Sequence, residues 1–401
     1  MTAAQAETSC SAPPGVRRLR VAVVCDYLEE QWPSMDLAGD MLCRYLPGQD
    51  DHLTPVQLRP PLHPRLSHLP WLSAKGARNA DRLINRFADY PLWLRGKRND
   101  FDLFHIVDHS YSQLIRSLPP SRTVVTCHDL DTFRCVLEPD REQRPRWFQA
   151  MTRRILQGFR KAAHVIAVSG ATRDEILRHR LFPEERVSVV HNGVHPSCSP
   201  NPNAAVDTYV EGLLPPAADV TACLLNVGST IPRKRLDVLL RVFAGVLRAV
   251  PGARLVRAGG GFTDEQLRLA RELRVEHAIV TLPFLEREQL AAVYRRAHVL
   301  LHTAEAEGFG LPLVEAMACG CVVAASDLPV LREVAGAAAV YCGFHDLDAW
   351  TRTLIDLLRE RREQPDHWQI RRQSSISRAA GFSWAENARQ TAHIYQKVLE
   401  K

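Results

Sequence analysis

Residues 297–325 constrain the fold of this 401-residue chain more than any other stretch. Ala297-His-Val-Leu-Leu-His302 is a short apolar run of the kind that forms a buried strand, and Cys321-Val-Val-Ala-Ala325 is a second. Between them, Glu307-Gly-Phe-Gly-Leu-Pro-Leu-Val-Glu315 opens a helix expected to span Leu311 to Cys319 and to stop at Gly320. Strand, glycine loop, helix and strand form the βαβ unit of a parallel sheet, which makes this an α/β chain. Its length exceeds what one hydrophobic core serves, so two domains are expected.

The loop has a chemical character of its own. Gly308 and Gly310 let the backbone approach a ligand closely, and Pro312 suits the first turn of a helix. No Ser, Thr, Asp or Asn stands at the cap, so the N–H groups from Gly308 to Leu311 are left for an outside acceptor such as a phosphate or sugar oxygen. Glu307 and Glu315 can flank the same loop. Carboxylates beside an anion site make sense as acceptors of sugar hydroxyls.

Glu-x7-Glu around Gly-Phe-Gly-Leu-Pro resembles the signature of the retaining glycosyltransferases of family 4. The resemblance implies the GT-B fold, two Rossmann-like domains whose parallel sheets face a central cleft. It also implies that Glu307 approaches the transferred sugar and that Glu315 binds the nucleotide ribose. Arg122-Thr-Val-Val-Thr-Cys127 reads as a strand that delivers His128 to the end of a parallel sheet, where the family presents a histidine to the sugar. Ala222-Cys-Leu-Leu-Asn-Val-Gly228 is another strand, followed by Ser229-Thr-Ile-Pro-Arg233-Lys234 ahead of a helix from Leu236. Cations beside a helix N-terminus are unfavourable for the helix alone, and a diphosphate would repair this. The family's arginine–lysine grip on the donor diphosphate carries over to Arg233 and Lys234. Gly228, Ser229, Gly308, Phe309, Gly310 and Leu311 complete the expected donor-binding set. Ser229 stands where many members have arginine, and Glu29-Glu-Gln-Trp-Pro-Ser34 replaces the usual Gly-Gly loop.

On this reading residues 1–205 form an acceptor domain and 206–380 a nucleotide-sugar donor domain. Residues 381–401 form a final helix that packs back across the cleft, and Pro196 to Ala218 form the linker. The implied reaction moves a mannose- or glucose-type hexose from a nucleotide-diphosphate sugar to a hydroxyl of a polysaccharide, glycolipid or small molecule, with retention. No cofactor and no metal is expected. The Asp100/Asp102, Asp129/Asp131 and Asp346/Asp348 pairs lie near turns where Asp caps N–H groups, and Arg233 and Lys234 can take the leaving charge. Two readings from other classes stand beside it. One is an impaired nucleotide-sugar-binding subunit, favoured by Ser229 and the altered glycine loop; the other is a peripheral membrane or polyanion-binding protein.

The second alternative rests on charge. Residues 1–205 hold 27 basic against 22 acidic residues, or +5, and residues 206–401 hold 24 against 23, or +1. At 100° per residue, Lys75, Arg78, Arg82 and Arg86 fall on one face of a helix within residues 75–94 and Leu83, Ile84 and Phe87 on the other. Packing the apolar side inward would show a basic face to an anionic membrane or acceptor. Nucleic acid is not expected, because no recognised module accompanies the patch. Ten cysteines without a CxxC pair read as reduced and mostly buried. Met1 to Arg20 has no apolar run of signal-peptide type, and no stretch approaches ~18 uncharged apolar residues, so a cytoplasmic location is expected.

Overall fold

The computed structural model describes residues 18–400 apart from 51, 68–73, 217–219 and 344. The chain divides into two compact units. The first takes the residues up to Ile166, Arg180–Ser188 and Ala385–Lys401, and the second takes Ala167–His179 and Val189–Trp384. Residues 189–205, read above as part of the first domain, group with the second unit, and residues 385–401 group with the first.

In the first unit, strands β1 (Leu19–Val24), β2 (Leu53–Leu58), β3 (Leu103–Ile106), β4 (Thr123–Cys127), β5 (His164–Ala167) and β6 (Val187–Val189) form a sheet in the order β2-β1-β3-β4-β5-β6. The second sheet orders β7 (Ala222–Val227), β8 (Ala253–Ala258), β9 (Ile279–Thr281), β10 (Val299–His302), β11 (Val322–Ser326) and β12 (Ala339–Cys342) as β12-β11-β10-β7-β8-β9. β1 pairs in parallel with β2 and β3, and β10 with β7 and β11. All of β4, β10 and β11 is buried, which is why these strands read as unbroken apolar runs rather than alternating ones. Each sheet reverses its order once, between β1 and β3 and between β7 and β10. Open α/β sheets bind ligands beyond the carboxyl ends of strands at such a reversal.

The final helix, Trp384–Leu399, is anchored in the first unit by a buried relay: Tyr395 Oη lies 2.6 Å from His105 Nδ1, and His105 Nε2 lies 2.7 Å from Thr126 Oγ1. Part of the expected linker is a helix, Ala204–Glu211, capped by the Asn203 side chain. Eight residues are too few to show a period. Its order comes instead from buried Val210 and from ion pairs of Asp207 with Arg295 (2.5 Å) and Glu211 with Arg296 (3.0 Å). One aspartate of each Asp-x-Asp pair accepts a backbone N–H: Asp129 that of Asp131 and Asp346 that of Ala349, both local, and Asp102 that of Arg20 at the start of β1.

The basic helix is rotated from the sequence expectation, so that its buried face is neither the basic nor the apolar one. Ala74–Ile84 continues through a π-helical turn, Asn85–Asp89, into Tyr90–Lys97. Ala77, Asp81, Asn85, Tyr90 and Leu94 face inward. Asp81 accepts from the N–H groups of Arg65, Leu66 and Ser67, and Asn85 exchanges two bonds with the His63 backbone, so polar groups fix the inner face. The π turn then shifts the phase that a uniform 100° step assumes. Arg86 is drawn in over the Tyr111 ring (4.0 Å) toward Ser110 and Glu30, and Arg82 Nη2 donates to the Glu30 carbonyl (3.2 Å). Arg78 stays exposed, and the Lys75 side chain lies outside the described residues. Leu83, Ile84 and Leu92 are 38%, 36% and 60% exposed. Among the described residues no helix is long and apolar enough to cross a membrane.

Candidate functional site

The order reversal of the second sheet brings two loops together, one after β7 and one after β10. Their contact is direct: the Glu305 N–H donates to the Arg233 carbonyl (2.9 Å), and Thr303 Oγ1 donates to the Lys234 carbonyl (3.1 Å). Lys234 Nζ reaches the Glu307 carboxylate at 2.5 Å, and His302 Nε2 lies 3.0 Å from the same oxygen. The Glu307 and Lys234 side chains are only 12% and 15% exposed. Burial alone would raise the Glu307 pKa. Lys234, His302 and Arg233 outweigh it and hold the carboxyl well below the usual range. Arg233 Nη1 donates to the Ala306 carbonyl at 3.4 Å. Next in the chain, Arg235 adopts a left-handed conformation (φ 49°) and pairs with Asp237 and Glu305, which directs it away from this cluster.

The glycine loop follows. Gly310 holds the N-cap of the helix Leu311–Ala318 with φ 95°, and no side chain caps that end. A Cβ on Gly310 would meet Leu331 at 3.0 Å. Ser169 Oγ donates to the Gly308 carbonyl at 2.8 Å while capping the helix Gly170–Arg178. Glu333 accepts from the Gly170 and Ala171 N–H groups and from His191 Nε2 (2.7 Å). Phe309 turns its ring inward among Val168, Val314, Val334 and Phe382, so of this residue only the backbone is left for a ligand. Glu315, one turn into the helix, has a different partner from Glu307: Tyr294 Oη donates to it at 3.0 Å. Burial pushes its carboxyl up to about 7, with Tyr294 and Arg287 pulling the other way.

At the reversal of the first sheet stand Asp26 after β1, Asp108 and His109 after β3 and His128 after β4. His128 Nε2 donates to the Val107 carbonyl at 2.8 Å, and burial lowers its pKa, so the ring is neutral. Burial and the Asp108 carboxylate push Asp26 well above the usual carboxylate range.

The structure thus unites Arg233, Lys234 and Glu307, hangs Gly308 to Leu311 beside them, and gives Glu315 its own buried setting. Sequence reading missed His302, Tyr294 and Glu333. His302 had a signal, as the last residue of a strand five positions before Glu307. Tyr294 and Glu333 sit on helices distant in sequence and gave none.

Two family models match the chain: "Glycosyltransferase Family 4" over residues 21–197 and "Glycosyl transferases group 1" over residues 217–374. The chain belongs to glycosyltransferase family 4. Among family 4 relatives it is 32% identical to D-inositol 3-phosphate glycosyltransferase of Thermobispora bispora over 232 residues, which is 55% of this chain and 52% of that protein. The chain therefore spans about half the length of that relative. It is 28% identical to O-antigen chain mannosyltransferase B of Escherichia coli over 280 residues, 69% of this chain and 70% of that one. Anabaena HepE, solved with UDP and glucose, matches with a TM-score of 0.69 at 15% identity, covering 95% of this chain and 100% of HepE. That likeness establishes the GT-B fold.

Proposed function

We propose that this family 4 member is a retaining, metal-independent glycosyltransferase that moves a hexose from a nucleotide-diphosphate sugar to a hydroxyl acceptor. The carrying observation is the Lys234–Glu307–His302 cluster beside an uncapped helix N-terminus. Without donor, Lys234 is matched by Glu307. A bound diphosphate offers Arg233, Lys234 and the Gly308–Leu311 N–H groups a stronger anion, and Glu307 then accepts the hydroxyls of the sugar. Donors fixed before the reaction stabilise the leaving charge without reorganisation, usually the largest contribution in such catalysis. Two cations at this position take the role a metal would otherwise have. Retention through the front face lets a donor phosphate oxygen receive the acceptor's proton, so no side-chain base is required. Glu315 would hold the ribose. UDP in HepE and the mannosyl transfer named for the E. coli relative support this donor class.

The test is thermal unfolding with UDP, GDP, ADP and their sugar conjugates, repeated with Glu315→Ala. A ligand at ~100 times its dissociation constant adds ~2.7 kcal/mol. A rise confined to one base and lost in Glu315→Ala supports the reading, and no rise with any of them refutes it. Binding without turnover would instead favour the impaired-subunit alternative.

The outward apolar stripe supports a second element of the proposal, a peripheral contact with anionic lipid at the cytoplasmic face of a membrane. Leu83, Ile84 and Leu92 would enter the interface, with exposed Arg78, Arg95 and Arg98 around them for lipid phosphates. Co-sedimentation with phosphatidylglycerol vesicles, and none with neutral ones, is the expected result.

A further inference from the structure

Arg257, at the carboxyl end of β8, is fully buried. Its Nη1 donates to the Ala258 carbonyl at 2.5 Å, its Nη2 donates to the Gly228 carbonyl, and its Nε has no hydrogen-bond partner. No carboxylate faces it among the described residues. Burial alone draws its pKa down to about 10, which still leaves it charged at neutral pH. A buried guanidinium without a counter-ion is costly to the folded chain, and an anion that binds nearby removes part of that cost.

The location indicates which anion. Gly228 begins the loop that carries Ser229, Arg233 and Lys234, and its backbone is held tightly: its N–H donates to the Ala258 carbonyl at 3.1 Å, and a Cβ on Gly259 would meet the Gly228 oxygen at 2.5 Å. The peptide bond is trans, so the carbonyl and the N–H of one peptide point in opposite directions. With the Gly228 carbonyl turned in to Arg257, the Ser229 N–H on the same peptide points away from the guanidinium. That N–H makes no backbone hydrogen bond among the described residues. The adjacent strand brings the Arg257 guanidinium to the same loop.

We propose that Arg257 is a positioning residue of the donor-phosphate site: it turns the Gly228–Ser229 peptide so that the Ser229 N–H meets a phosphate oxygen, and its unmatched charge favours a diphosphate there. This rests on the nucleotide-sugar reading above. It goes beyond that reading by assigning part of the charge at the donor-phosphate loop to a buried residue of β8.

Titration calorimetry on wild type, Arg257→Gln and Arg257→Lys tests it with three ligand types: inorganic pyrophosphate; whichever of UDP, GDP or ADP binds wild type; and the matching nucleoside. Glutamine keeps a donor for the Gly228 carbonyl but removes the charge. Arg257→Gln is expected to weaken diphosphate and pyrophosphate at least tenfold, leave the nucleoside unchanged and flatten the salt dependence of diphosphate binding. Arg257→Lys, which keeps the charge but cannot hold both carbonyls, should lose only severalfold. A merely structural role would weaken nucleoside and diphosphate alike and lower the unfolding temperature of the unliganded protein. Either that pattern or wild-type diphosphate affinity in Arg257→Gln overturns the proposal. If Arg257→Gln does not fold, the lysine variant decides: a severalfold diphosphate loss with intact nucleoside binding supports the proposal, and equal affinity refutes it. Wild type that binds pyrophosphate but no nucleotide would sink the nucleotide-sugar reading and leave the Arg257 comparison to be made with pyrophosphate. Wild type that binds neither would overturn both.

Discussion

Glu315→Gln should stabilise the unliganded protein at pH 8 and leave it unchanged near pH 4.5. The Glu315 carboxyl titrates near 7 in the folded chain, against 4.5 for an ordinary glutamate. The folded state therefore binds its proton more tightly than the unfolded state, and stability falls as pH rises from 4.5 to 7, then levels off. The gap, 7 − 4.5 = 2.5 units, corresponds to about 3 kcal/mol at ~1.4 kcal/mol per unit. Glutamine keeps an acceptor for the Tyr294 hydroxyl, 3.0 Å away in the wild type, without the charge. Urea unfolding of both proteins at pH 4.5, 6, 7 and 8 reads the effect as a midpoint difference that opens with pH; with m near 2–3 kcal/mol/M it reaches ~1 M. A constant difference, or a glutamine variant less stable at pH 8, would refute the argument. The same substitution should weaken nucleotide binding, because ribose hydroxyls need the ionised acceptor. Gained stability with lost affinity is the expected signature of a buried carboxylate retained for a ligand.

Other consequences follow from the same geometry. Lys234→Ala removes the ion pair to Glu307 and leaves it only His302 and the nearby Arg233 charge, and losing one charged hydrogen bond in the transition state (~1.5–3 kcal/mol) should lower turnover ~10- to 100-fold, read by steady-state kinetics. Gly310→Ala forces a side chain into φ 95° and against Leu331, and should cost about 1–2 kcal/mol in unfolding free energy while raising the donor KM. His128→Ala should reduce turnover and leave nucleoside-diphosphate affinity at its wild-type value, since Arg233, Lys234, Glu307 and Glu315 lie in the second unit. Leu83→Asp with Leu92→Asp should abolish sedimentation with anionic vesicles and spare nucleotide binding.

What the sequence made legible is what local chemistry dictates. Two glycines, a proline and two glutamates around a buried strand announce a strand-to-helix turn, and the turn is built from those residues: Gly310 takes the left-handed conformation and Leu311 starts the helix. Arg233 and Lys234 were legible for the same reason, as adjacent cations before a helix. The helix of residues 74–97 was legible as a helix but its buried face was not, because that face is chosen by Asp81 and Asn85 bonding to another segment and its phase is shifted by a π turn; a fixed angular step contains neither fact. Arg257 shows the limit more sharply. In sequence it is one of two arginines in the strand Ala253–Ala258, just before a glycine triplet that is weak evidence by itself. Only the register of β7 against β8 sets it under Gly228, where a charge that is costly to the fold becomes useful to an anion. Residues of this kind, expensive to the unliganded protein and placed by pairing rather than by neighbours in sequence, should therefore be the ones whose removal separates stability from binding. Glu315 and Arg257 carry that expectation with opposite charges, one for the ribose and one for the phosphates. If both neutral variants stabilise the empty protein while weakening nucleotide, the site is one that the bound donor completes electrostatically. If both destabilise it, these groups are parts of the scaffold and the donor site must be sought from Lys234 and Glu307 alone.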